Sequence, residues 1–248
     1  VSLQNLFCPA TIRAGQLIDE GRLGQILQFR ACYLHSGSAD PNAPLKWKLS
    51  AEAGGGVITD LASHVMDLMH YLLGDYESII AQTKIAYPER PAAGAPATMV
   101  KVDAEDYVQM LVTMKSGAIG NIEASKIATG TEDEVRFEIH GSKGALRFNG
   151  MDPHHLEFYD VSAQAAPLGG TRGWTAIDTG QRYEKPAGFP TPKAAIGWMR
   201  GHMQCLYNFL DCVDKGLPGN PGLEQGIYIQ KLIETVKESA STGLRINL

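Results

Sequence analysis

No apolar run reaches the roughly 18 residues of a membrane-spanning helix; the most apolar stretch, residues 57–73, is broken by Asp60, His64, Asp67 and His70. A basic excess is also missing. Lys and Arg total 22 against 27 Asp and Glu, a net charge of −5, which argues against a general nucleic-acid binder. Only four cysteines occur, Cys8, Cys32, Cys205 and Cys212, with no CxxC pair, so neither a disulfide framework nor a zinc site is expected. Low-complexity tracts are absent. The opening residues VSLQNLF carry no basic segment and no apolar signal core, so nothing marks the chain for export and a reducing, cytoplasmic setting is the expectation. No strand leads into GxGxxG and a helix, and GxxxxGK[ST] does not occur.

What is present is an ordinary globular composition, 44% hydrophobic and 20% charged over 248 residues, long enough for one large domain or two small ones. Residues 8–20 read as a short helix, with Pro9 near its start and Gly21 past its end. A strand follows at 25–34, then a long irregular stretch rich in Gly, Pro, Ser and Asn. Helical periodicity returns at 57–73 and closes at Gly74. β-branched and aromatic runs at 78–86, 106–114, 117–127, 133–140, 143–149 and 154–161, many separated by short turn signals, predict an antiparallel meander. The tail predicts helices at about 194–215 and 223–241 and a short final strand. The fold class is therefore α+β, an open, predominantly antiparallel sheet with helices on one face. Its other face, expected to carry Val108, Met110, Val112, Ile119 and Ile122, predicts a homo-oligomer.

The helix at 57–73 holds the chemistry. At about 100° per residue, Asp60, His64, Asp67 and Tyr71 share one stripe. One reading is a solvated polar face; the other is a wall of a semi-enclosed site, favoured because the segment has no Lys, Arg, Glu or Gln. A His one turn after an Asp suits acid/base work, because the carboxylate can hold the imidazole and raise its pKa. Gly54-Gly55-Gly56, just upstream, could bind an anion at the helix start, but close backbone packing is the better account. Lys46-Trp47-Lys48 either lines a polar substrate or anchors the long loop. His154-His155 point to opposite faces and do not suggest a shared metal.

These segments resemble the carboxy-terminal domain of the glucose-fructose oxidoreductase / inositol dehydrogenase / MocA (Gfo/Idh/MocA) family of NAD(P)-dependent sugar and polyol oxidoreductases. The matching pieces run in order: NLFCPA with AGQLIDEGRLGQI, LKWKLS, AGGGVITDLASHVMDLMHYLLG, SGAIGNIEAS, HGSKGALRF and ETVKESASTGLRINL. Most specific is GGG-x3-D-x3-H-x2-D followed by an apolar run and Gly. The resemblance implies a glyceraldehyde-3-phosphate dehydrogenase-like carboxy-terminal domain that supplies substrate site and oligomer sheet, with NAD or NADP held mainly by an amino-terminal Rossmann domain that this sequence lacks. It implies His64 as acid/base, Asp60 as the carboxylate that orients His64 and binds sugar, Trp47 and Lys48 as substrate contacts, and Asn5 and Trp47 as neighbours of the cofactor. Ala62 stands where Gly is common. The family's Glu-Lys-Pro motif belongs at the end of the Rossmann domain, so Glu184-Lys185-Pro186 is read as coincidence. Two alternatives stay open: NAD-dependent redox-neutral glycoside cleavage, and a non-enzymatic sugar-binding or scaffold subunit.

Overall fold

Alternation builds the sheet. In β5 (Tyr107–Met114) the even-numbered residues Val108, Met110, Val112 and Met114 are buried, while Gln109 and Leu111 face outward, the period of a strand covered on one side. The computed structural model describes residues 2–180, 191 and 196–248. Its other strands are β1 (Ile26–His35), β2 (Tyr76–Lys84), β3 (Glu89–Ala92), β4 (Ala95–Lys101), β6 (Ile119–Ser125), β7 (Asp133–Gly141), β8 (Gly144–Asn149), β9 (His155–Asp160), β10 (Trp174–Asp178) and β11 (Ile246–Asn247). Nine form one sheet in the order β10-β9-β8-β7-β1-β6-β5-β2-β11, and β3 and β4 form a separate hairpin.

The predicted meander holds for β2, β5 and β6 and again along β7 to β9, and is interrupted by β1. That strand lies between β6 and β7, antiparallel to β7 and parallel to β6. A parallel pair needs a long crossover, and the chain between β1 and β6 provides it. The fold is α+β, a mixed, mostly antiparallel sheet with helices on one face.

Helices α1 (Pro9–Asp19), α2 (Ser63–Leu73) and α4 (Leu223–Thr242) cover one face and close a core that includes Leu17, Met66, Met69, Phe137 and Leu232. The open face differs from the expectation. Val108, Met110, Val112 and Ile122 point to the helices and are buried; of the five only Ile119, 59% exposed, looks outward. The apolar alternate of each strand is the one the helices cover. The open face instead carries a row of opposite charges across four strands, Arg30, Glu138, Arg147 and Glu157 in register, with Arg30 to Glu138 at 3.2 Å and Arg147 Nη2 to Glu157 at 2.8 Å. Such cross-strand pairs stabilise a sheet modestly.

Helix α3 (Trp198–Asp214) packs chiefly on a 3-10 turn at Gln4–Phe7. Trp198, Leu206, Phe209 and Val213 on it are exposed, and its only buried residues are Arg200 and Cys212. All four cysteines are free thiols. No helix among the described residues is long and apolar enough to cross a membrane.

Candidate active site

The long loop after β1 is held by a buried charge. Arg90, 1% exposed, donates to the carbonyls of Asp40 at 2.6 Å and Ser38 at 2.5 Å, and its guanidinium lies over the Tyr87 ring. The loop then delivers a 3-10 turn at Trp47–Leu49 to the start of the 57–73 helix. Between them sits the glycine turn. A Cβ on Gly55 would lie 2.6 Å from the Trp47 carbonyl oxygen, and one on Gly56 2.4 Å from Glu105 Oε1; Gly56 also has φ +113°. Gly55 and Gly56 therefore serve close packing, as expected, while Gly54 has open space around it and a φ of +77° that suits the turn. The helix start is already occupied by a carboxylate, because Ile58 N–H donates to Glu105 Oε1 at 3.0 Å, which leaves the anion reading without a vacant N-terminus.

The first turn of that helix, Ile58–Ala62, is a π turn, and α-helical geometry begins at Ser63. Ser63 N–H reaches back to the Ile58 carbonyl, and the Ser63 hydroxyl donates to the Thr59 carbonyl at 2.7 Å, which satisfies the group the extra residue frees. Such bulges frequently mark functional sites. The expected single stripe is consequently divided. Asp60 opens onto a cavity of about 470 Å3 lined also by His35, Trp47, Lys48 and Lys126. Asp67 is instead buried and accepts from Gln225 Nε2 at 2.5 Å. Tyr71 stands over Gly15, where a Cβ would meet its hydroxyl at 3.2 Å.

Asp60 is held by two ammonium groups. Lys48 Nζ reaches Oδ1 at 3.0 Å, and Lys126 Nζ reaches Oδ2 at 3.2 Å. Burial works to raise its pKa, but the Lys48 hydrogen bond and the Lys126 charge overcome that and hold it below the ordinary carboxylate value. The same burial pulls the Lys126 pKa down against the attraction of Asp60. His64 lies 6.1 Å, ring to ring and edge-on, from Tyr33. Its Nδ1 is buried and has no hydrogen-bond partner among the described residues. Asp60 thus spends its carboxylate on the two lysines instead of on the imidazole. Burial lowers the His64 pKa, and the charge of Asp60 only partly restores it, so the ring is a neutral base at neutral pH.

Trp47, Lys48 and Asp60 therefore meet at one cavity; His64 is not among its lining residues and stands edge-on to Tyr33, which lines a second cleft. Asn5 lines this second cleft, of about 310 Å3, together with Tyr33, Asp133 and Trp198, and its Nδ2 is buried without a partner among the described residues. Lys126, Tyr33 and Asp133 escaped the sequence reading; they come from strands whose pairing no local pattern reveals. Glu184-Lys185-Pro186 lies outside the described residues. No group of three or more His, Cys, Asp or Glu side chains positioned for a metal occurs among the described residues.

A family model described as the C-terminal alpha/beta domain of an oxidoreductase family, Gfo/Idh/MocA, matches residues 16–248. The chain belongs to this family. It is 32% identical over 246 residues to levoglucosan dehydrogenase of Pseudarthrobacter phenanthrenivorans, covering 94% of this chain and 62% of that protein. With inositol 2-dehydrogenase of Rhizobium meliloti it is 29% identical over 251 residues, covering 100% and 64%. A solved structure of levoglucosan dehydrogenase with NADH and levoglucosan superposes with a TM-score of 0.92 at 30% identity, over 100% of this chain and 65% of that one. The chain thus spans just under two thirds of the length of these relatives.

Proposed function

We propose that this Gfo/Idh/MocA domain supplies the substrate site and proton acceptor of a nicotinamide-dependent oxidoreductase acting on a secondary hydroxyl of a sugar, polyol or related cyclic substrate. The observation that carries the reading is His64, a half-buried, neutral imidazole whose buried Nδ1 has no partner among the described residues, one helical turn from Asp60, which lines a cavity with Lys48 and Trp47. In this mechanism Asp60 and Lys48 bind hydroxyls, Trp47 covers an apolar ring face, and His64 accepts the hydroxyl proton as general base. When bound, the nicotinamide supplies the hydride acceptor. The orphan donor of Asn5 on the adjoining cleft fits a cofactor amide or hydroxyl, and Trp47 lies open at the other cavity. The described residues contain no glycine-rich strand-to-helix turn for a pyrophosphate, so a separate Rossmann domain holds most of the dinucleotide and selects NAD or NADP.

The charge row on the open face is self-complementary under a two-fold axis. With Leu111 and Ile119 exposed beside it, it supports pairing with a second copy.

The test uses a polypeptide in which a Rossmann domain precedes this chain, with levoglucosan and myo-inositol as probes and reduced cofactor as the readout. His64→Ala is expected to lower turnover about 100-fold or more while leaving cofactor binding intact. Turnover equal to wild type overturns the assignment.

A further inference from the structure

Lys126 follows β6 and is a buried lysine whose ammonium has three N–H donors; each finds an acceptor at 3.2 Å, the carbonyls of Lys48 and Gly56 and Oδ2 of Asp60. Its side chain is 6% exposed. Those three acceptors belong to three separate segments: the Trp47–Leu49 turn, the glycine turn and the π turn. An apolar side chain of similar length would fill the same volume without the cost of dehydrating an ammonium, so packing alone does not account for a charge at this point.

We propose that Lys126 is a positioning residue of this site, whose ammonium ties the three turns together and neutralises the Asp60 carboxylate beside His64. Lys48 approaches the same carboxylate from the solvent side. The Lys48, Asp60 and Lys126 triad carries net positive charge, so Asp60 remains ionised to accept hydrogen bonds without pinning a proton on the imidazole. The other titratable groups around His64 are Tyr33 on β1, Asp133 on β7 and His202 on α3. Of these, the Asp133 carboxylate acts on His64 in the same direction as Asp60 but more weakly. Lys126 therefore governs the local charge from inside the sheet. This inference rests on the reading of His64 as proton acceptor.

The experiment is an NMR titration of the His64 ring in this 248-residue chain, assigned with His64→Asn. Lys126→Met is expected to raise the His64 midpoint by about 0.5 to 1 pH unit, because half of the compensation of Asp60 is lost. Lys126→Gln keeps a donor for the carbonyls but no charge; it is expected to do the same, and it carries the test where Lys126→Met does not fold. Lys126→Arg should leave the midpoint near wild type, and Asp60→Asn should lower it. A purely structural lysine would leave the midpoint unmoved in the folded neutral variants, and that result overturns the proposal, as does a midpoint insensitive to Asp60→Asn. With the Rossmann domain attached, the acid limb of kcat/KM should move up with the NMR midpoint in Lys126→Gln. If the midpoint moves and the acid limb does not, the charge role stands and the assignment of His64 as base falls.

Discussion

Asp67 illustrates how one carboxylate of a motif can be buried in the core while another, Asp60, opens onto a cavity. Burial pushes its pKa up to about 6 from 3.8, and the Gln225 hydrogen bond only partly opposes this. A folded-state value above the unfolded one means that the native state holds the proton more tightly. Asp67 therefore favours folding below about pH 4, and that contribution is lost as pH rises through about 6, on the order of 2 to 3 kcal/mol at most. Asn can accept the same hydrogen bond without a charge. Asp67→Asn should raise the melting temperature above pH 6 and leave it nearly unchanged at pH 4, a pattern that paired thermal scans would show; an equal shift at both pH values would refute the burial account. Asp60 and His64 were legible in the sequence because their spacing brings them near one another on any helical turn. The division of their stripe was not legible, since the π turn and the partners Gln225 and Lys126 depend on segments distant in sequence. The glycine turn was legible in kind, and the structure adds that Gly55 must clear the Trp47 and Lys48 backbone and Gly56 the Glu105 carboxylate.

At the scale of elements, the helices and most strands followed from periodicity, whereas β3, β4 and β10 did not. Strand β4 is exposed along nearly its whole length, so no face of it is selected for apolar side chains and alternation has no cause. Strand β10 is five residues long with three exposed at its start, too little pattern to separate from a loop. The hairpin of β3 and β4 matters because it carries Arg90 to the loop that delivers Trp47 and Lys48. Arg90→Met removes a buried donor from carbonyls that would then lack partners. It is expected to cost about 2 to 4 kcal/mol in denaturant unfolding and to weaken substrate affinity more than turnover; unchanged stability would mean that water replaces the guanidinium at no cost. Gly55→Ala forces a methyl into the Trp47 and Lys48 backbone, which cannot step aside as a flexible side-chain end can. Activity should fall at least about 10-fold with the far-ultraviolet circular dichroism retained, and full activity would show that the two turns can separate harmlessly.

At the scale of the molecule, the two exposed surfaces have opposite character. The open sheet face is a charge row flanked by Leu111 and Ile119, and Leu111→Glu with Ile119→Lys should convert a sedimenting dimer to monomer; an unaltered sedimentation coefficient would place the contact elsewhere. Helix α3 is instead apolar, exposing Trp198, Leu206, Phe209 and Val213, a surface of the kind a second domain covers. The 248-residue chain alone should consequently bind a hydrophobic dye and fail to bind NADH at micromolar concentration in calorimetry, whereas micromolar binding would place a complete dinucleotide site within it. The position of β1 has a different consequence, for the order in which the molecule is made. This strand is made before every other strand of its sheet, yet it separates β10-β9-β8-β7 from β6-β5-β2-β11, and its first sheet partner begins only at Ile119. Each half can zip locally, but the sheet becomes one object only when the oldest strand slides between two later ones. Closing such distant contacts makes folding slow, in the range of milliseconds to seconds, and during synthesis β1 waits with both edges unpaired, the condition in which strands are most open to pairing with the wrong chain.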